Sequence, residues 1–292
     1  MAVILITGCS TGIGKATALV LAKAGHQVYA TMRNPSKSPA LGEIASSENL
    51  PITILQLDVD NEESVGNAVD NVLQKEQSID ILINNAGIAP LGSVEELPLT
   101  EFEQTMNTNY LGPIRCIQKV LPGMRQQRSG CIINITSVAG RIASASQSAY
   151  AASKFALEAL SEALAQEVKP FNIRVAIVEP GIIETPIFEK VDLSAEKGNY
   201  PNAKRLMALF HTALQNPVPP NVIGEKILEI VDNDSWQLRY PAGPDSEPFL
   251  QWRMSMTDEQ WVDWGAAVDD ETWAKAVERD FGIDVRPFIS AD

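Results

Sequence analysis

Read for hydrophobic and polar positions, the chain alternates between short apolar runs rich in β-branched residues and longer stretches with helical spacing. The runs fall at residues 3–7, 27–32, 52–59, 79–84, 131–136 and 173–179. Most are apolar on both alternating faces, as strands covered on both sides of a parallel sheet must be. Helical patterns occupy residues 14–24, 62–74, 101–126 and 149–169. After residue 179 the pattern loosens, then a helix at 222–232 and a seventh strand at 236–240 resume it. The alternation predicts an α/β chain: a doubly wound, mostly parallel seven-stranded sheet with helices on both faces, joined by right-handed crossovers.

The last stretch differs. It holds four of the five tryptophans, Trp252, Trp261, Trp264 and Trp273. "TDEQW" and "DDETW" are helix starts, with Thr257 and either Asp269 or Asp270 as caps. We therefore expect one domain over residues 1–243, with 184–221 as a segment over the substrate, and a helical extension, 244–292, packed on it.

Composition narrows the function. The chain of 292 residues is 45% hydrophobic and 21% charged, as in an ordinary globular enzyme. A net charge of −14 disfavours nucleic acid and anionic membranes as partners. No run is long enough to span a bilayer, and the start "MAVILITG" has no signal-peptide pattern. Cys9, Cys116 and Cys131 are scattered in apolar segments, which fits a cytoplasmic, reduced protein. His26 and His211 lack metal-ligand spacing, so no metal is expected.

Candidate chemistry begins in the first strand–helix junction. "TGCSTGIG" puts Gly8, Gly12 and Gly14 between a buried strand and a helix. Such a loop lets backbone approach a pyrophosphate, and the helix start offers free N–H groups. The loop Gly8, Ser10, Thr11, Gly12, Ile13 and Gly14 is thus a dinucleotide candidate, and the sheet a Rossmann sheet. The second strand ends in Met32 and Arg33, where NAD-preferring sites place a carboxylate. A guanidinium there, helped by Ser10, suits a 2′-phosphate, so NADP(H) is the expected cofactor. Asp58 and Val59 could meet the adenine edge, although Asp58 could equally cap the following helix. Asn84, Ala86 and Gly87 of "NNAG" end the fourth strand, where small residues would let a ribose lie on the backbone.

"NITS" ends the fifth strand at Ser137; Tyr150 and Lys154 follow, four residues apart and so on one helix face. With "TGCSTGIG", "NNAG", Ser137, "YAASK" and "PGIIET" in this order, the chain resembles the short-chain dehydrogenase/reductase superfamily over residues 2–186. The resemblance is nearest to hydroxysteroid- and retinol-type members. It implies a catalytic set of Asn109, Ser137, Tyr150 and Lys154. Tyr150 would be general acid in ketone reduction and general base in alcohol oxidation. A free phenol titrates near pH 10, and Lys154 is expected to lower that value and to hold the nicotinamide ribose. Ser137 would aim the substrate oxygen. Asn109 would support a water relaying protons to Lys154, with Asn107 ranked second. Pro180 and Gly181 would make the turn, and Ile183 and Thr185 would contact the carboxamide.

Ile187, Phe188, Tyr200, Leu206, Met207, Leu209 and Phe210 suggest an apolar, bulky ketone or secondary alcohol as substrate. Ala151, Phe155, Leu157, Ala159 and Leu160 are expected to pack the Tyr150 helix. By the same resemblance, helices over residues 111–126 and 151–169 would build a homodimer or homotetramer. The leading alternative is a non-catalytic NADP(H)-sensing protein of the same fold. An epimerase or dehydratase is disfavoured by the glycine spacing.

Overall fold

The computed structural model describes residues 1–187 and 199–289. Seven strands form one sheet: β1 (Val3–Ile6), β2 (Gln27–Met32), β3 (Ile52–Gln56), β4 (Ile81–Asn84), β5 (Gly130–Ile135), β6 (Ile173–Pro180) and β7 (Arg239–Ala242). Their order is β3-β2-β1-β4-β5-β6-β7, and every pairing is parallel. Chain direction across the sheet therefore reverses between β1 and β4, the switch point where open α/β sheets bind ligands.

The helices α1 (Gly12–Lys23), α2 (Ala40–Ser47), α3 (Glu62–Glu76), α4 (Leu99–Met106), α5 (Gly112–Gln127) and α6 (Ser148–Val168) follow the early strands. One sheet face buries Ile4, Ile6, Val28, Ile83 and Ile133 against Ala18, Leu21 and Ile227. The other buries Leu5, Tyr29, Leu82 and Ile132 against Val65, Val69, Cys116 and Val120. Alternate residues of a single strand, Ile4 and Leu5, thus enter different cores, which is why these strands are apolar throughout.

Four features differ from the sequence pattern. The third strand ends at Gln56 rather than residue 59, because Leu57 to Asp60 turn away towards α3. The segment expected as one helix over 101–126 is interrupted by a π-turn, Asn107–Leu111, between α4 and α5. The last strand lies at Arg239–Ala242 because register with Ile177–Pro180 of β6 selects those residues. Trp236 instead stays 45% exposed under the Lys169 ammonium, 5.4 Å from its ring centre. Phe155 is 42% exposed on α6, while Ala151 and Leu157 carry the packing.

Beyond β6 lie α7 (Asn202–Ala213) and α8 (Asn221–Asp232), and after β7 come α9 (Ser246–Met254), α10 (Asp258–Gly265), α11 (Asp270–Phe281) and α12 (Arg286–Ile289). Thr257 caps α10 with a full capping box, and Asp269 caps α11 by accepting from the Thr272 amide. Leu209 and Ala208 of α7 share a small core with Trp273, Val277, Val285 and Ile289. Arg205, 3% exposed, donates to Asp270 (2.7 Å) and to the Ala267 carbonyl (2.9 Å), so α7 is tied to the extension.

Candidate active site

A cavity of about 1030 Å³ runs along the carboxyl ends of β1, β2, β4, β5 and β6. Gly8, Ser10, Thr11, Gly12, Ile13 and Gly14 line one end of it. Gly8 adopts φ +74°, and a Cβ there would lie 2.7 Å from the Ala86 backbone, so only glycine fits. Helix α1 opens onto the cavity. Thr11 makes no side-chain capping bond, and the first turn carries no acidic residue. Its amide groups and partial positive charge suit a phosphate, and no carboxylate opposes one. This end fits the pyrophosphate of a nicotinamide dinucleotide.

Arg33, Asp58 and Val59 line the same end beyond Met32. Asp58 accepts from the Asp60 amide (3.1 Å), while Asn61 caps α3 by accepting from the Ser64 amide (2.8 Å). Asp58 is therefore not the helix cap.

At the end of β4 the first residue of "NNAG" lies away from the cavity. Asn84 is 3% exposed and does not reach the cavity. Its amide donates to Asn134 Oδ1 (2.8 Å), and Asn134 donates to Ser161 Oγ (2.8 Å), a buried polar chain joining β4, β5 and α6. Asn85, which the sequence reading passed over, lines the cavity with Ala86 and Gly87. Asn85 Nδ2 donates to the Thr7 (2.8 Å) and Gly8 (3.1 Å) carbonyls, and Thr7 Oγ1 accepts from the Asn85 (3.0 Å) and Ala86 (3.1 Å) amides. The two loops are thereby one rigid unit. The available signal was the strand period of two, which turns the residue after a buried Asn the other way.

Ser137, Tyr150 and Lys154 meet at the cavity centre. Ser137 Oγ accepts from the Ala139 amide (3.1 Å) and donates to the Pro180 carbonyl (3.4 Å), and it lies near enough to the Tyr150 phenol to lower its pKa. Lys154, 5% exposed, lies with Nζ 5.7 Å from the Tyr150 ring centre and donates to the Ile135 carbonyl (2.8 Å). Burial pushes the Tyr150 phenol above its ordinary value, and Ser137 pulls it down only in part. This is the reverse of the direction expected from sequence, because burial outweighs the contact that favours the phenolate. Burial lowers Lys154 to about 8, opposed by the Glu158 carboxylate one turn along α6.

Asn109 sits in the π-turn, fully buried behind the cavity wall. Its Oδ1 accepts from the Ile88 amide (2.9 Å), and its Nδ2 donates to the Ile88 carbonyl (2.8 Å) and Ser153 Oγ (2.9 Å). The side chain is thus a brace between "NNAGI" and α6. Pro113 has no N–H to give the Asn109 carbonyl four residues back, one cause of the widened turn. Asn107 faces away and accepts from Arg115 Nη2 (2.7 Å).

Below Lys154 lies a buried ionic cluster that the sequence reading did not identify. Glu158 and Glu179 are 4% and 1% exposed. Arg239 Nε approaches them at 3.1 and 3.6 Å, and Arg141 Nη1 pairs with Glu179 at 3.3 Å. Burial raises both carboxyl groups, and the guanidinium groups oppose it.

Pro180, Gly181, Ile183 and Thr185 line the cavity beside this centre. Asp245, next to the start of α9, holds their loop, with Oδ2 accepting from the Ile182 amide at 2.7 Å. Ile187, Leu206, Leu209 and Phe210 form part of the wall. Met207 packs behind it with Leu91 and Phe210, and Tyr200 points outward to bond Glu95 (2.5 Å). Phe188 lies outside the described residues. Burial pushes the thiols of Cys9 and Cys116 up to about 12 and Cys131 up to about 11, far from nucleophilic use. Among the described residues no three His, Cys, Asp or Glu side chains converge as metal ligands, and no helix is long and apolar enough to cross a membrane.

A family model described as short chain dehydrogenase matches residues 2–196. The chain is 38% identical over 246 residues to the 3-ketodihydrosphingosine reductase of Bacteroides thetaiotaomicron, spanning 83% of this chain and 88% of that protein. It is 39% identical over 203 residues to retinol dehydrogenase 8 of Homo sapiens, spanning 68% of this chain and 64% of that protein. The crystal structure of a short-chain dehydrogenase from Streptomyces avermitilis superposes with a TM-score of 0.77 at 31% identity, covering 90% of this chain and 96% of that one.

Proposed function

The chain belongs to the short-chain dehydrogenase family, and from that premise we propose that it is an NADP(H)-dependent reductase of apolar ketones, reversible towards secondary alcohols. The observation that carries the proposal is the meeting of Ser137, Tyr150 and Lys154 in one cavity with the uncapped start of α1. When bound, the nicotinamide supplies the hydride in reduction and accepts it in oxidation.

The chain's own residues supply the rest. The α1 amides and the Gly8–Gly14 loop would hold the pyrophosphate, with Arg33 and Ser10 on the 2′-phosphate. Ala86 and Gly87 leave room for a ribose, and Ile183 and Thr185 flank the carboxamide position. Ser137 orients the substrate oxygen towards the Tyr150 phenol. The phenol is protonated at neutral pH, as an ordinary phenol is, and so can donate to the ketone oxygen. Donation leaves a phenolate, which the Lys154 ammonium above the ring stabilises electrostatically. In oxidation Tyr150 takes the proton back. Asn109 acts through Ile88 and Ser153 and is a positioning residue.

The apolar wall of Leu206, Leu209 and Phe210 favours a hydrophobic ketone, as do the relatives' reductase and dehydrogenase names. We also propose a cytoplasmic homodimer or homotetramer. The cysteines are free and buried, and Phe155 on α6 and Leu111 on the adjoining π-turn are 42% and 41% exposed.

The test is Tyr150→Phe, assayed by NADPH consumption over a panel of ketones. We expect kcat/KM to fall about 10²–10⁴-fold, the usual contribution of a positioned acid, with NADPH binding retained. Undiminished turnover refutes the assignment. Wild-type protein that binds NADPH and reduces no ketone would favour the sensing alternative.

A further inference from the structure

The C-terminal extension supplies a wall of the same cavity. Phe249, Trp252, Trp261, Trp264 and Phe281 face it together with Ser137 and Tyr150. Trp273, 4% exposed, lines the floor of the same wall and anchors it in the small core with Val277 and Val285. Trp252, Trp261 and Trp264 are instead only half-buried.

Their arrangement has a shape. Trp261 and Trp264 lie 7° from parallel with centres 5.6 Å apart, too close to admit a ring between them, so they form a stepped flat surface. Trp252 stands edge-on to both, at 82° and 75°, with centres 5.5 and 4.9 Å away. Phe281 meets Trp252 at 4.7 Å and closes the corner. Two anchors fix it. Trp261 Nε1 donates to the Ala143 carbonyl (3.1 Å), in the loop that follows Ser137. Arg253 lies 5.3 Å over the Trp261 ring. The corner is thus preformed and tied to the loop that bears the catalytic serine.

We propose that this aromatic corner is the distal substrate subsite, and that it selects ketones whose carbonyl is attached to a flat ring system over ketones on a flexible alkyl chain. Flat faces and edges at right angles gain from a second ring beyond the area they bury. An alkyl chain gains only the area and loses rotamer freedom on binding. The inference deepens the ketone-reductase reading and rests on it.

The experiment compares acetylnaphthalene with dodecanone, matched in carbon number, in the wild type and in Trp261→Leu and Trp261→Phe. We expect wild-type kcat/KM with NADPH to favour acetylnaphthalene by about tenfold. Trp261→Leu should bring the ratio close to one, and Trp261→Phe should restore most of it. Quenching of tryptophan fluorescence by acetylnaphthalene, without cofactor, reads the subsite independently of turnover. Quenching in the wild type that weakens in Trp261→Leu supports the subsite even if no ketone is reduced, an outcome that sinks only the reductase reading. An equal or reversed ketone preference in an active wild type overturns the subsite. So does absence of quenching, or a ratio unchanged in Trp261→Leu.

Discussion

Gly181→Ala tests how tightly the extension grips the loop after β6 that lines the cavity. A Cβ at position 181 would stand 2.1 Å from Asp245 Oδ1, 2.5 Å from its Cγ and 2.6 Å from Oδ2. No rotation of a methyl group relieves such a contact, so the carboxylate must retreat by more than an ångström. That breaks its 2.7 Å bond to the Ile182 amide. A hydrogen bond to a charged group is worth about 1.5–3 kcal/mol, and residual overpacking costs about 1–3 kcal/mol. Retreat relieves part of the strain, so the terms do not add fully, and we expect a loss of about 2–4 kcal/mol. At about 2–4 °C per kcal/mol the melting temperature should fall by roughly 4–16 °C. Asp245→Ala loses the bond without the clash, at about 2 kcal/mol. In the double variant neither bond nor clash exists, so it should be no worse than Asp245→Ala alone, a coupling equal to the whole Gly181→Ala loss of about 2–4 kcal/mol. Urea unfolding of the four proteins, with m-values compared, measures this cycle. Additive losses, with the double variant falling by the sum, would refute the claim that Asp245 is what demands glycine at 181.

Arg33→Asp should move preference from NADPH to NADH by about a hundredfold in the ratio of kcat/KM values, by removing a guanidinium partner for the 2′-phosphate; a wild type that favours NADH refutes the reading. Lys154 keeps its charge below about 8 and loses it as pH rises further, so the rate of ketone reduction should decline through that value. A kcat profile that stays flat up to pH 10 would count against Lys154 as the charge supporting Tyr150. Arg239→Met should destabilise the protein by about 3–5 kcal/mol at pH 8, because it strips a counter-charge from two buried carboxylates. Their folded pKa values then rise further above the unfolded ones, so the folded state binds more protons and the deficit shrinks as pH falls. Equal deficits in urea melts at pH 5 and pH 8 would contradict this sign.

Local patterning was enough for much of the site. Strands apolar on both faces announce a parallel sheet, and a parallel sheet puts its loops at the carboxyl edge. That alone brings the glycine loop, "NNAG", Ser137 and "PGIIET" to one place. The i, i+4 spacing sets Tyr150 and Lys154 on one helical face, whatever surrounds them. Capping chemistry is equally local, and Thr257 and Asp269 begin helices where their side chains satisfy the first free amides.

What the sequence could not decide is which groups share a space. Whether Asn84 or Asn85 faces the cavity depends on Asn134 standing opposite in β5. Asn109 stands apart from Asn107 because the π-turn sets it against Ile88 and Ser153. The direction of the Tyr150 pKa depends on how far burial outweighs the help of Ser137. Asp245, Glu179 and the tryptophan corner come from segments remote in sequence, and no local pattern joins them to the site. Periodicity and capping act over a few residues, so the chain writes them plainly. Burial, Coulomb interaction and contact act through space, and only the folded chain fixes those distances.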